Sequence, residues 1–272
     1  MLTFPHAKIN IGLQIVGKRP DGYHNLQTIF VPIPLYDALE VIPYQKEMVW
    51  NDGGTCPDCP AKQNLVWKAF ELLQQTVGAL PPTHFYLRKK IPTGAGLGGG
   101  SSNAASALCM LSEVYNLGLT TKELQQLALT LGADCPFFVD PRPSYATGIG
   151  EVLTPITLDL TGLCLTLVLP PVHVSTAEAY RNVRPQTPTT NLPEAVKQPL
   201  EHWHETITND FERSVIAQYP LIGTLKQVLY NAGATFAQMS GSGSSLFALS
   251  QQPLDLKGIP QTLGARVYSY EL

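Results

Sequence analysis

The stretch Pro92-Thr-Gly-Ala-Gly-Leu-Gly-Gly-Gly-Ser-Ser-Asn-Ala-Ala105 decides how the rest of the chain is read. It sets glycine, hydroxyl and small residues where a strand, His84 to Ile91, gives way to a small-residue-rich, mostly apolar helix, Asn103 to Tyr115. Glycines let the backbone take positive φ values and approach a ligand closely. The amides that open the following helix point outward with the positive end of the helix dipole behind them. That is the composition of a phosphate cradle. The plainer alternative is a flexible glycine turn without a ligand, but a mere turn has little use for so many glycines directly before a helix start.

Three kinds of nucleotide loop share this character, and the residues separate them. A Walker A loop ends in Gly-Lys-Ser/Thr, and no lysine follows these glycines. Gly94-Ala-Gly96-Leu-Gly98-Gly99 fits the loose dinucleotide pattern G-x-G-x-x-G, but the ribose-binding acid about 20 residues on should end a second strand. The sequence at that point, Thr120 to Leu131, is helical. What remains is Pro-x-x-x-Gly-Leu-Gly-x-x-Ser-Ser-x-Ala, which resembles the second motif of the GHMP family of small-molecule kinases.

Composition sets outer bounds. A chain of 272 residues can bury a sizeable core in one large or two small domains. A net charge of −3 gives no electrostatic case for nucleic acid or an anionic membrane as partner. No apolar run approaches the roughly 18 residues of a membrane span, and the start Met1-Leu-Thr-Phe-Pro-His-Ala-Lys8 lacks the pattern of a secretory leader, so a cytoplasmic location is the expectation. Cys109, Cys135 and Cys164 sit among apolar neighbours and read as buried thiols. Cys56-Pro-Asp-Cys59 has no second Cys/His pair of zinc-site spacing and reads as a loop with free thiols, metal shared between subunits or redox chemistry being the alternatives.

Around the glycine run the chain alternates strands and helices. Ala7 to Val16 and Thr28 to Ile42 read as strands, Asn51 to Gln63 as a polar insertion, and Asn64 to Gln75 as a helix with Asn64 as N-cap. Later come a loop and strand at Pro141 to Ile149, a strand at Leu163 to Leu169, a helix at Ile222 to Asn231, and strands at Ala234 to Met239 and Leu246 to Ser250 around the turn Ser240-Gly-Ser-Gly-Ser-Ser245. Mixed elements with hairpin-like segments predict an α+β fold. The GHMP resemblance implies two domains, residues 1–155 built like ribosomal protein S5 domain 2 and residues 156–272 ferredoxin-like, with ATP and substrate in the cleft between them.

A small-molecule kinase needs a triphosphate cradle, a cation, a base or positioning group for the acceptor hydroxyl, and an acceptor pocket. The cradle is Pro92, Thr93, Gly94, Ala95, Gly96, Leu97, Gly98, Gly99 and Gly100, with Ser101 and Ser102 able to reach phosphate oxygens or a metal ion. Asp134, just beyond a helix, is the acid candidate, a capping aspartate being its alternative. Lys8, on a strand with alternating apolar neighbours, is the cation candidate, a solvated strand lysine being its alternative.

The resemblance extends nearly end to end through Ala7 to Leu13, Arg19 to Thr28, Gly94 to Ala105, Leu131 to Pro136, Gly148 to Glu151 and Ser240 to Ser244. Asp21-Gly-Tyr-His24 beside Ala7-Lys-Ile-Asn10 narrows it to the branch of GHMP kinases that phosphorylates a cytidine-diphosphate-bearing polyol in isoprenoid biosynthesis. It implies that Asp134 accepts or orients the hydroxyl proton with Lys8 beside it, and that Tyr23 and Tyr180 sandwich the cytosine ring. His24 and Asn10 would supply hydrogen bonds, and Thr176 and Ile149 would line the wall. A family phenylalanine is replaced by Tyr180 and a neighbouring proline by Ala177, which leaves the stacking surface in place.

On the nucleotide side, Asn64 and Leu65 resemble the adenine segment, with Lys89 near the nucleotide and Lys90 the alternative by a slip of one residue. Gly241, Ser242 and Gly243 resemble the third GHMP motif, a tight hairpin turn being the alternative. ATP as donor and Mg2+ are implied, with no metal ligands specified. A small-molecule acceptor, no nucleic acid or membrane partner, and a monomer or weak homodimer complete the expectation. Rival readings are a GHMP kinase for homoserine, mevalonate or a sugar, and a nucleotide-binding protein without turnover.

Overall fold

The computed structural model describes residues 1–54, 60–188 and 190–272, so the Cys56 and Cys59 pair lies outside the described residues. In chain order the elements are β1 (Leu2–Thr3), β2 (His6–Lys18), β3 (His24–Tyr36), β4 (Ala38–Pro43), β5 (Val49–Gly54), α1 (Leu65–Val77), β6 (Thr83–Lys89), α2 (Gly99–Val114) and α3 (Thr121–Leu131). There follow β7 (Ser144–Thr147), β8 (Val152–Pro155), β9 (Cys164–Leu169), α4 (Thr176–Asn182), α5 (Leu192–Ala195), α6 (Trp203–Thr206), α7 (Glu212–Gln218), α8 (Pro220–Asn231), β10 (Phe236–Met239), β11 (Leu246–Ser250), α9 (Ile259–Thr262) and β12 (Arg266–Glu271). They form two compact units, each discontinuous in sequence. Unit 1 comprises Met1–Lys8, Pro32–Thr93 and Gly98–Arg142; unit 2 comprises Ile9–Val31, Gly94–Leu97 and Pro143–Leu272.

In unit 1 a sheet of order β1-β4-β6-β5 is antiparallel except between β5 and β6. Strand β6 shows the period of two that a half-buried strand requires: Phe85 and Leu87 point into the core, Tyr86 and Arg88 out. Helix α1 starts where the Asn64 side chain accepts from the Val66 amide at 3.0 Å, and buries Val66, Ala69, Phe70 and Leu73, one face at helical spacing. Phe70 meets Phe85 edge-on, ring centroids 5.9 Å apart. Val41, Leu87, Leu108 and Leu111 join them in one apolar cluster, each fully buried side chain contributing about 1.5–3 kcal/mol.

Unit 2 holds an antiparallel sheet of order β10-β11-β9-β12. Helix α8 buries Ile222, Leu225 and Leu229 in a cluster with Phe211, Val168, Met239 and Leu246. A further sheet has the order β2-β3-β7-β8, and its long strands β2 and β3 each contribute residues to both units. The mixture of helices with largely antiparallel sheets fits the α+β class.

Three local expectations change. The strand read from Thr28 to Ile42 breaks at Asp37, whose buried carboxylate is claimed by other segments, so β3 and β4 are separate strands. Asn51 to Gly54, read as insertion, forms the end of β5, because backbone pairing with β6 needs no apolar side chains. The helix read from Asn103 begins at Gly99, so the last two glycines and both serines of the run form its first turn. Of the cysteines, Cys135 is buried as expected, whereas Cys109 and Cys164 are half-buried; all three are free.

Candidate active site

Helix α2 opens without a side-chain cap. Its N-cap Gly98 is left-handed, φ 70°, and no acidic residue lies in the first turn, so its leading amides are left for a ligand. Close packing forces the glycines here. A Cβ on Gly98 would lie 2.7 Å from the Phe138 ring and 3.2 Å from Lys8 Cγ, and one on Gly99 would lie 2.7 Å from Ile91 Cγ2. The stem of Lys8 therefore runs beneath the helix start. Leu65 approaches the same turn, 3.6 Å from a Cβ placed on Gly100.

Lys8 and Asp134, 126 positions apart in the chain, meet at 3.5 Å between Nζ and Oδ2. Strand β2 delivers the lysine; the end of α3, at Leu131, and the 3-10 turn Cys135–Val139 deliver the aspartate. The Lys8 side chain is 4% exposed and that of Asp134 36%, so the cation is sealed while the acid is open to a substrate. Burial holds the Lys8 ammonium below the usual lysine range, and the Asp134 charge opposes that shift. Ser101, expected at the phosphates, hydrogen-bonds the Cys135 thiol, which burial pushes up to about 12.

Below the same helix start lies a polar cluster of which the sequence named only Lys89. The Lys89 ammonium contacts Asp37 Oδ2 and donates to Asn103 Oδ1 at 2.9 Å; Asn103 Nδ2 donates to Asp37 at 2.9 Å. The other Asp37 oxygen accepts from the amides of Lys90 and Ile91 at 2.6 and 2.8 Å. Lys89 is thus the inward lysine and Lys90 the exposed one. Asp37 was missed because its signal is weak: one acid amid Leu35, Tyr36, Ala38 and Leu39.

In unit 2, residues 94–97 of the glycine run are held by the Ser240–Ser245 turn. Ser240 Oγ donates to Gly96 O at 3.0 Å, and the Ser245 amide to Ala95 O at 3.3 Å. A Cβ on Gly96, φ 77°, would lie 2.1 Å from Ser240 O, so only glycine fits. The backbone amide of buried Asn10 donates to Ser240 Oγ at 3.3 Å, and its side chain donates to Thr28 Oγ1 at 3.0 Å.

The aromatic residues expected around the cytosine all lie in unit 2. His24 stacks on Tyr180, centroids 5.0 Å apart and planes 28° from parallel, while Tyr23 lies 57% exposed. Phe211 backs Tyr180 edge-on at 4.8 Å. The His24 imidazole is held below its usual range by burial first and by the Lys18 charge second. Thr176 opens α4 with its hydroxyl 3.3 Å from Ser242 Oγ. The amide of Ile149, in the β7–β8 turn, donates to Glu151 at 2.5 Å.

No group of three or more His, Cys, Asp and Glu side chains gathers among the described residues. None of the described helices is long and apolar enough to cross a membrane.

Two family models match the chain, GHMP kinases N terminal domain over residues 64–140 and GHMP kinases C terminal over residues 191–268. A protein of Bacteroides fragilis named 4-diphosphocytidyl-2-C-methyl-D-erythritol kinase is 48% identical over 92% of both chains, and one of the same name from Parabacteroides distasonis is 47% identical over 94% of both. A crystal structure of a 4-(cytidine 5'-diphospho)-2C-methyl-D-erythritol kinase superposes with TM-score 0.80 at 32% identity, covering 99% of this chain and 98% of that one.

Proposed function

The chain belongs to the GHMP kinases and, within them, to the 4-diphosphocytidyl-2-C-methyl-D-erythritol kinases, and from that membership we propose how its residues divide the reaction. It transfers the γ-phosphoryl group of ATP to the 2-hydroxyl of 4-diphosphocytidyl-2-C-methyl-D-erythritol, giving the 2-phosphate and ADP, on the non-mevalonate route to isoprenoids.

The observation that carries the reading is the Lys8–Asp134 pair beside an uncapped, glycine-led helix start. The α2 amides and the helix dipole bind the triphosphate, and Gly94 to Gly100 let the backbone approach it. Asp134 takes or orients the acceptor hydroxyl proton. Lys8 stabilises the negative charge that develops on the acceptor oxygen, and its burial keeps water from screening that interaction. Transfer through a loose transition state asks little more of the protein than positioning and charge. Mg2+ bound with ATP would supply positive charge that offsets that of the triphosphate.

Lys89 acts from beneath the first turn of α2, fixing it through Asp37 and Asn103, while Asn64 and Leu65 border the nucleotide. The His24–Tyr180 stack supplies an aromatic face for the cytosine, to which Tyr23 adds a second. Asn10, Thr176 and Ile149 orient the polyol, and the Gly241-Ser-Gly243 turn holds the early glycines in place. The enzyme works as a monomer or weak homodimer in the cytoplasm.

The test is to follow ATP labelled at its γ-phosphorus with 4-diphosphocytidyl-methylerythritol. Label should enter a phosphomonoester of the acceptor, with ADP formed in equal amount. Label appearing only as inorganic phosphate would leave an ATPase and overturn the reading.

A further inference from the structure

His173, just beyond β9, has no part in the scheme above, yet its ring edge lies against the first glycine of the phosphate run. A Cβ on Gly94 would fall 2.5 Å from His173 Cε1 and 3.0 Å from Nδ1. The segment that carries it is tied down on both sides. Ser244 Oγ donates to Val172 O at 2.6 Å, and the Thr176 hydroxyl meets Ser242 Oγ at 3.3 Å. The same Ser240–Ser245 turn holds Ala95 and Gly96, so histidine and glycines are fixed to one support. His173 is exposed, and its ring makes no hydrogen bond among the described residues. An imidazole in either protonation state keeps at least one N–H donor.

We propose that His173 is a specificity-determining residue that hydrogen-bonds a diphosphate oxygen of the cytidine-bearing acceptor rather than the phosphates of ATP. The assignment to the acceptor follows from the chain. The residues directly after His173 lead through Thr176 to Tyr180, whose ring stacks on His24, and all of them, with Gly94, belong to unit 2. A ligand whose base lies on that stack continues through its ribose to its diphosphate, along the segment that leads back to His173. The inference rests on the reading that the acceptor carries a cytidine diphosphate.

The test compares His173→Ala and His173→Gln with the wild type by steady-state kinetics, and by calorimetric titration with cytidine 5'-diphosphate and with ADP. The alanine variant should raise KM for the acceptor and weaken CDP binding by about ten-fold or more, the order expected for a hydrogen bond to a charged group, leaving kcat, KM for ATP and ADP affinity within two- to three-fold. Glutamine, which keeps a donor, should recover part of the loss. A rise in KM for ATP instead, equal losses for CDP and ADP, or no change would each overturn the proposal. Should the wild type bind CDP but fail to phosphorylate the polyol, the reaction assigned above falls while the CDP titration still decides the role of His173. A wild type that binds no CDP overturns it outright.

Discussion

Asp134 and Lys8 are unremarkable as isolated letters, and their meeting at 3.5 Å gives them a use. If Asp134 handles the hydroxyl proton, Asp134→Asn should retain ATP binding while kcat falls by about 10²–10⁴, the range typical of a positioned acid or base. Undiminished turnover would remove it from the mechanism. Lys8 gives a pH signature. Burial lowers its pKa, so the ammonium is lost at lower pH than in an ordinary lysine, and turnover should decline as pH rises through that lowered value. Stability moves the opposite way. Between the lowered folded pKa and the ordinary unfolded one, the unfolded chain binds more protons, so the contribution of Lys8 to stability increases with pH. Turnover that holds until the ordinary lysine range would contradict the assignment. Sequence alone left open whether Lys8 was a solvated strand residue, because which face of a strand is covered depends on neighbours far along the chain; the structure shows β2 buried almost throughout.

Elements whose pattern is strongly periodic were legible before the structure. Helices α1, α3 and α8 and strands β6 and β9 stand close to where their apolar spacing puts them. What escaped were features set by long-range partners. Asp37 interrupts an otherwise continuous strand pattern because Lys89, Asn103 and two amides from the end of β6 need its carboxylate. The period of two along β6, Phe85, Leu87, Lys89, would have placed Lys89 inward and settled its register against Lys90. Two predictions follow from these supports. Asp37→Ala leaves a buried ammonium short of its counter-charge and should cost about 3–5 kcal/mol in denaturant unfolding; a midpoint equal to wild type would mean the cluster is dispensable. Gly96→Ala adds a Cβ at 2.1 Å from Ser240 O on a left-handed backbone, so it should lower both thermal stability and turnover. Wild-type values for both would show that the turn and the glycine run can separate freely.

Across the molecule, the glycine run pointed to the superfamily through its resemblance to the second GHMP motif, once the missing Walker lysine and second strand had set the other nucleotide loops aside. Composition contributed only exclusions. The narrower reading depended on short strings far apart, Ala7 to Asn10 and Asp21 to His24, whose joint meaning lies in the acceptor rather than in the fold. The aromatic surface was legible as to its residues, Tyr23, His24 and Tyr180, whereas the stack of His24 on Tyr180 joins positions far apart in the chain that no short string reveals. Choice of acceptor is therefore set by unit 2 side chains rather than by the glycine run. The decisive measurement is ADP release from Mg-ATP by the purified protein with 4-diphosphocytidyl-methylerythritol, homoserine, mevalonate and galactose offered under identical conditions. Saturable turnover with the cytidylyl acceptor alone is the predicted result. Comparable turnover with any of the other three would contradict the acceptor assignment, and turnover with none would contradict the kinase reading itself.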